Sequence, residues 1–118
     1  MKNFVLIFRE SNDPDLSASP EEMQGVMNDW MNWMGGMAAQ NKLVDNGNRL
    51  SKANARTVRP NNKITDGPYT EIKEFINGYI IVRTENIEEA VGLAKECPIL
   101  KTGGNVEVRT AVAVDDHS

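Results

Sequence analysis

"EFINGYIIVRTENIEEAVGLAKECP", residues 74–98, places an extended run, a helix cap and a helix in direct succession. Tyr79 and Ile81 alternate with Ile80 and Val82, the two-residue period of a strand rich in β-branched and aromatic side chains. Asn86 and Glu89 follow as a capping pair, in which side-chain oxygens take up N–H groups that the first helical turn leaves unpaired. Ile87, Ala90, Val91 and Ala94 recur at helical spacing behind that cap, and Pro98 ends the helix. A strand that feeds straight into an amphipathic helix buries that helix against a sheet. The segments on either side determine which sheet.

Upstream, residues 3–8, "NFVLIF", read as a central strand buried on both faces, with Phe4, Leu6 and Phe8 sharing one of them. After the loop "ESNDPDLSA", Ser19 as N-cap, Pro20 at the first helical position and Glu22 at the third mark a helix start. Met23, Met27, Trp30, Met34 and Met37 then step by four and three residues along one stripe, which Val26 and Trp33 widen. The spacing predicts a helix over 20–40, about 30 Å long at 1.5 Å per residue, lying across a sheet. Gly35 and Gly36 each cost about 1 kcal/mol in helix propensity relative to Ala, and we read them as a close approach to a neighbouring backbone. The segment "NKLVDNGNRL" turns the chain at Asn46-Gly47, and "ARTVRPNNKITDGPY" forms a hairpin about Asn61-Asn62. Downstream, "NVEVRTAVAV" sets Val106, Val108, Thr110 and Val112 against Glu107, Arg109, Ala111 and Ala113, a half-buried strand over 105–114. The order is β-α-β-β-α-β, an α+β ferredoxin-like sandwich with two helices on one face of an antiparallel sheet.

The 118 residues fit a single domain, expected to span 1–114 with 115–118 as a flexible tail. A net charge of −4, without a cluster of Lys and Arg, argues against nucleic acid as a partner. The apolar run at the N-terminus stops at Arg9, too short for a signal core or a membrane span, so a cytoplasmic protein with no membrane partner is expected. One cysteine, Cys97, and one histidine, His117 near the C-terminus, leave little from which to build a disulfide, a metal site or a histidine-based catalytic group. No metal or cofactor is expected. Cys97, in the last turn of a helix, reads as a buried structural thiol, because the negative end of the helix dipole disfavours thiolate.

The stretch "DGPYTEIKE", residues 66–74, concentrates the chemistry. Asp66-Gly67 is a turn signal and Pro68 stiffens it, so the segment serves equally as scaffold or as a device that fixes a carboxylate and a phenol at a pocket mouth. Glu71 and Lys73 share one face of the following strand, where they form either a solvated pair or a binding edge. A general base works best near neutrality, which for an aspartate requires a rise of about three pKa units, and nearby arginines act in the opposite direction. Asp66 therefore reads more readily as the counter-charge of Arg59 or Arg109, whose guanidinium groups grip carboxylates with two hydrogen bonds. Arg109 falls on the sheet face away from the helices, the face that a second subunit would cover. Trp30 or Trp33 would border a pocket, or pack in the core as Met and Trp stripes commonly do.

Taken with "INGYIIV", "IEEAVGLAKECP" and "GGNVEVR", the "DGPYTEIKE" stretch resembles the YCII-related, DGPF-domain family, over about Trp30 to Arg109. The resemblance implies a dimeric α+β barrel, two ferredoxin-like subunits joined through their sheets. It also brings an acid/base pairing of His and Asp proposed for some members. This chain has Asn28, Asp29 and Trp30 where that histidine would stand, so the mechanism does not transfer. Tyr69 replaces the usual Phe and adds a hydroxyl, and Thr110 replaces a Pro. The expectation is a homodimer binding a small anionic or phenolic molecule, with Arg59, Tyr69, Glu71, Lys73, Arg109 and Trp30 as ligand-binding residues. Two alternatives stand beside it: an enzyme that uses Asp66 as its catalytic residue on an aromatic or lactone substrate, and a regulatory partner protein linked to transcription.

Overall fold

A computed structural model describes residues 1–11, 19–68 and 74–114. Its strands are β1 (Lys2–Ser11), β2 (Leu43–Arg49), β3 (Arg56–Arg59), β4 (Lys63–Asp66), β5 (Glu74–Thr84) and β6 (Asn105–Thr110). The helices are α1 (Pro20–Ala39) and α2 (Ile87–Ala94). Four strands form one sheet in the order β2-β5-β1-β6, every neighbouring pair antiparallel. With one helix after β1 and one after β5, this is the ferredoxin-like arrangement expected of the sequence.

The two-residue period of β1 and β5 fixes which face is the core. Phe4, Leu6 and Phe8 on β1 and Ile80 and Val82 on β5 are buried together with Met37 of α1, Ala90 and Ala94 of α2, Cys97 and Ile99. Each large side chain removed from water contributes about 1.5 to 3 kcal/mol, so this face carries most of the stabilisation. Trp30 and Trp33 pack edge-on against Phe8, with ring centroids 4.9 and 6.1 Å away. Both helix starts carry the predicted caps. Ser19 Oγ accepts from the Glu22 N–H, and Asn86 Oδ1 accepts from the Glu89 N–H at 2.9 Å. Glu89 returns the bond by accepting from the Glu85 N–H.

Several expectations change. The second strand of the sandwich is β2, where the sequence reads as a turn. Asn46-Gly47 does not reverse the chain; Gly47 sits at φ +65° in a bulge within β2, pressed so closely on β5 that a Cβ there would lie 1.6 Å from the Tyr79 carbonyl oxygen. The predicted hairpin exists, with Asn61 and Asn62 both at positive φ. It is, however, a separate two-stranded ribbon, β3 with β4, inserted between β2 and β5. β1 is central, but only its core face is buried, and Val5 and Ile7 on the other face remain half-buried.

α1 covers the sheet with its C-terminal half alone. Met37 is buried and Trp30, Trp33 and Met34 are partly so, while Met23, Met27 and Met31 are more than half exposed. Nothing lies within 4 Å of a Cβ built on Gly35 or Gly36, so the helix runs unbroken through both without the expected close contact. α2 ends at Ala94, before Pro98, which opens a short 3-10 segment over Pro98–Thr102. Its inward residues include Leu93, while Ile87 and Val91 face outward. β6 stops at Thr110, short of the strand predicted to 114.

Candidate functional site

The face of the sheet turned away from the helices is where charge and apolar surface meet. Register sets its rows. Val5 of β1 lies across from Ile81 of β5 on one side and Arg109 of β6 on the other, and Ile7 lies between Tyr79 and Glu107. Val5, Ile7 and Ile81 thus form a half-buried apolar strip down the middle. Polar groups line both margins. On the β2 side, Asn48 Nδ2 donates to the Tyr79 hydroxyl at 3.1 Å. On the β6 side, Glu107 accepts from two guanidinium groups, Arg9 Nη1 at 2.6 Å and Arg109 Nη1 at 2.9 Å.

Glu107 gives one oxygen to each arginine. Hydrogen bonds first from Arg109 and then from Arg9 hold its carboxyl below the usual carboxylate range. The Arg9 and Glu107 side chains are only 27% and 33% exposed, so the pair is shielded on a face with no helix over it. Two cations on one anion leave one positive charge in excess beside the apolar strip. The guanidinium N–H groups that do not point at Glu107 suit a carboxylate or phenolate.

Of the residues expected to bind ligand, Arg109 is on this face. Arg9, Glu107, Tyr79 and Asn48 were not anticipated. The signal for Glu107 and Arg109 lay in the alternation of "VEVR", but only the strand register brings Arg9 to them from the far end of the chain. Arg59 stands on the separate ribbon, in register with Lys63. Asp66, on the same ribbon, has a side chain 94% exposed, with a carboxylate oxygen 3.3 Å from Arg56 Nε. Its carboxylate pairs with Arg56, across the ribbon, where the sequence suggested Arg59 or Arg109. Trp30 lies under the opposite face of the sheet, against Phe8 and Trp33. Tyr69, Glu71 and Lys73 lie outside the described residues, as does His117.

Cys97 is buried, and desolvation pushes its thiol up to about 12. It is the inert structural group expected, although burial rather than a helix end is the cause, since α2 stops before it. Among the described residues no cluster of three or more His, Cys, Asp and Glu side chains is placed to hold a metal ion, and no helix is long and apolar enough to cross a membrane.

The profile of the YCII-related domain matches residues 4–113. Among curated proteins no match is found. A solved structure, the 5-chloro-2-hydroxyhydroquinone dehydrochlorinase of Burkholderia phenoliruptrix AC1100 in complex with 2,5-dihydroxybenzoquinone, is similar at 18% identity with a TM-score of 0.46. The alignment covers 88% of this chain and 90% of that one.

Proposed function

This chain belongs to the YCII-related domain family, and on that footing we propose that it acts as a cytoplasmic homodimer that binds a small anionic or phenolic molecule in a chamber closed between two sheets. The observation that carries this is the open sheet face. An apolar strip of Val5, Ile7 and Ile81 bordered by a shielded Arg9–Glu107–Arg109 cluster is a half-finished interior, and a twin copy placed over it completes a barrel. The folding unit in this reading is residues 1–114.

A ligand in the chamber presents its anionic end to Arg109 and Arg9 and its flat body to the apolar strip, with the Tyr79 hydroxyl as a polar stop on the far margin. Arg59 is retained in this reading as an anion partner and Tyr69, Glu71 and Lys73 as ligand-binding residues by their chemistry alone, and Trp30 supports the chamber floor from below through Phe8. Asp66, bound to Arg56, serves as a counter-charge. An enzyme that draws a proton with Asp66 needs that carboxylate enclosed beside substrate, and its exposure favours the binding reading.

The test is titration of the protein with a panel of phenols, hydroxyquinones, aromatic carboxylates and lactones, followed by calorimetry. Saturable binding of an anionic or phenolic member, weakened about tenfold by Arg109→Ala as expected for loss of one charge-assisted hydrogen bond, supports the proposal. Binding indifferent to Arg109, or turnover lost in Asp66→Asn, contradicts it.

A further inference from the structure

Tyr79 and the Arg9–Glu107–Arg109 cluster stand at opposite margins of one row of the open sheet face. Register fixes that row: Asn48 of β2 lies across from Tyr79 of β5, Tyr79 across from Ile7 of β1, and Ile7 across from Glu107 of β6. Only β1 separates the two margins, so at a strand spacing of about 4.8 Å the backbones of β5 and β6 run about 10 Å apart. A single flat ring with a group at each end matches that gap, its face resting on Ile7 and Val5.

Both ends of the row are hydrogen-bond donors. A guanidinium group has five N–H donors and no acceptor, and Arg9 and Arg109 each direct one nitrogen at Glu107. At the other end the Tyr79 hydroxyl already accepts from Asn48 Nδ2 at 3.1 Å, which leaves its own hydrogen to be placed. Among the described residues that hydrogen meets no acceptor. The ends differ in charge. Two arginines on one glutamate leave a positive excess at the β6 margin, whereas Tyr79 and Asn48 form a neutral pair. Between them Val5, Ile7 and Ile81 offer only hydrocarbon, where a polar group on the ring would lose water without gaining a partner.

We propose that Tyr79, oriented by Asn48, selects the far end of the ligand, so that the site takes an aromatic monoanion with a carboxylate at one end and an uncharged acceptor, such as a ketone carbonyl, at the other. The carboxylate meets Arg9 and Arg109, whose donors suit its two oxygens. The acceptor takes the Tyr79 hydrogen. This inference rests on the chamber reading above and narrows it from small anions in general to molecules with acceptors at both ends.

Calorimetric titration with 4-acetylbenzoate and 4-isopropylbenzoate tests it. The two share charge and near-identical shape and differ in one oxygen at the Tyr79 end. The parent protein is expected to bind the ketone about two- to tenfold more tightly, the worth of one hydrogen bond. Tyr79→Phe removes the donor and is expected to bring the two affinities together. Asn48→Asp supplies an acceptor for the hydroxyl hydrogen, and is expected to abolish the preference with the tyrosine still in place. In that variant only the ratio of the two affinities is read, because an added carboxylate weakens both. A parent that binds the two alike, or a preference that survives either variant, overturns the assignment and leaves anion binding at Arg9 and Arg109 standing. Binding of neither benzoate overturns it as well, and the phenols of the panel above then show whether the chamber reading stands.

Discussion

The Trp33 indole N–H donates to the Leu93 carbonyl oxygen at 3.0 Å, tying the helix that follows β1 to the helix that follows β5. Leu93 lies in the last turn of α2, where its carbonyl oxygen also accepts from the Glu96 N–H at 3.2 Å, so the indole takes up the remaining acceptor capacity of that oxygen. Trp33→Phe keeps an aromatic ring beside Phe8 and Trp30 but removes this donor. The expected cost is about 1 to 2 kcal/mol, from the lost hydrogen bond and some lost ring area. Urea denaturation measures it, and a midpoint unchanged from the parent protein would show the bond to be incidental.

Two glycine substitutions should have opposite signs. Gly35→Ala adds a methyl group to an open helical position with nothing within 4 Å and should stabilise by about 1 kcal/mol through helix propensity. Gly47→Ala forces a side chain into positive φ and into the Tyr79 carbonyl, detaching β2 from β5. Its cost should be at least about 3 kcal/mol, beyond the usual penalty of left-handed backbone. Thermal melts of the two variants compare them directly.

Acid should destabilise the fold partly through Glu107 and Glu89. Hydrogen bonds from Arg109 and Arg9 lower the Glu107 carboxyl, and those from Lys42 and then the Glu85 N–H lower Glu89, each from an ordinary 4.5. For a group lowered in the folded state, the stabilisation is present above the unfolded value and is lost as pH falls through the folded one. Stability should therefore decline as pH drops below 4.5, and Glu107→Gln should flatten that decline while leaving the protein less stable near neutrality. Denaturant midpoints measured from pH 7 to pH 3 test this; parallel curves for parent and variant would exclude a role for the cluster.

The thiol of Cys97, pushed up to about 12 by burial, should resist alkylation in the folded protein at pH 8. It should react fully once the chain is unfolded in guanidinium. Rapid labelling of native protein would mean that the Pro98–Thr102 segment opens readily.

Much of this architecture could be read from periodicity. Phe4, Leu6 and Phe8 sit in a run rich in β-formers whose strand character is plain even though its alternation is weak, and the caps at Ser19 and Asn86 are local chemistry that a sequence carries in full. β2 escaped notice because Asn-Gly is the strongest short-range turn signal, and only contact with the Tyr79 carbonyl turns Gly47 into a bulge. The methionine stripe was legible, but whether Met23 and Met27 are covered depends on how far the sheet extends beneath α1. At the site, Arg109 was visible from its alternation with valines. Arg9 was not, since its pairing with Glu107 joins residues at opposite ends of the chain through a register that no local pattern encodes. Asp66 looked like the counter-charge of Arg59 or Arg109, but the ribbon that carries Asp66 and Arg59 forms its own sheet, where Asp66 meets Arg56.

Sedimentation equilibrium of the parent protein and of Ile7→Arg most directly tests whether a second copy closes the open sheet face. The account predicts a parent species at twice the 13.1 kDa of one chain and a folded, monomeric variant, because Ile7 stands at the centre of the apolar strip. A parent protein that sediments as a single 13.1 kDa chain at micromolar concentration and above would contradict it.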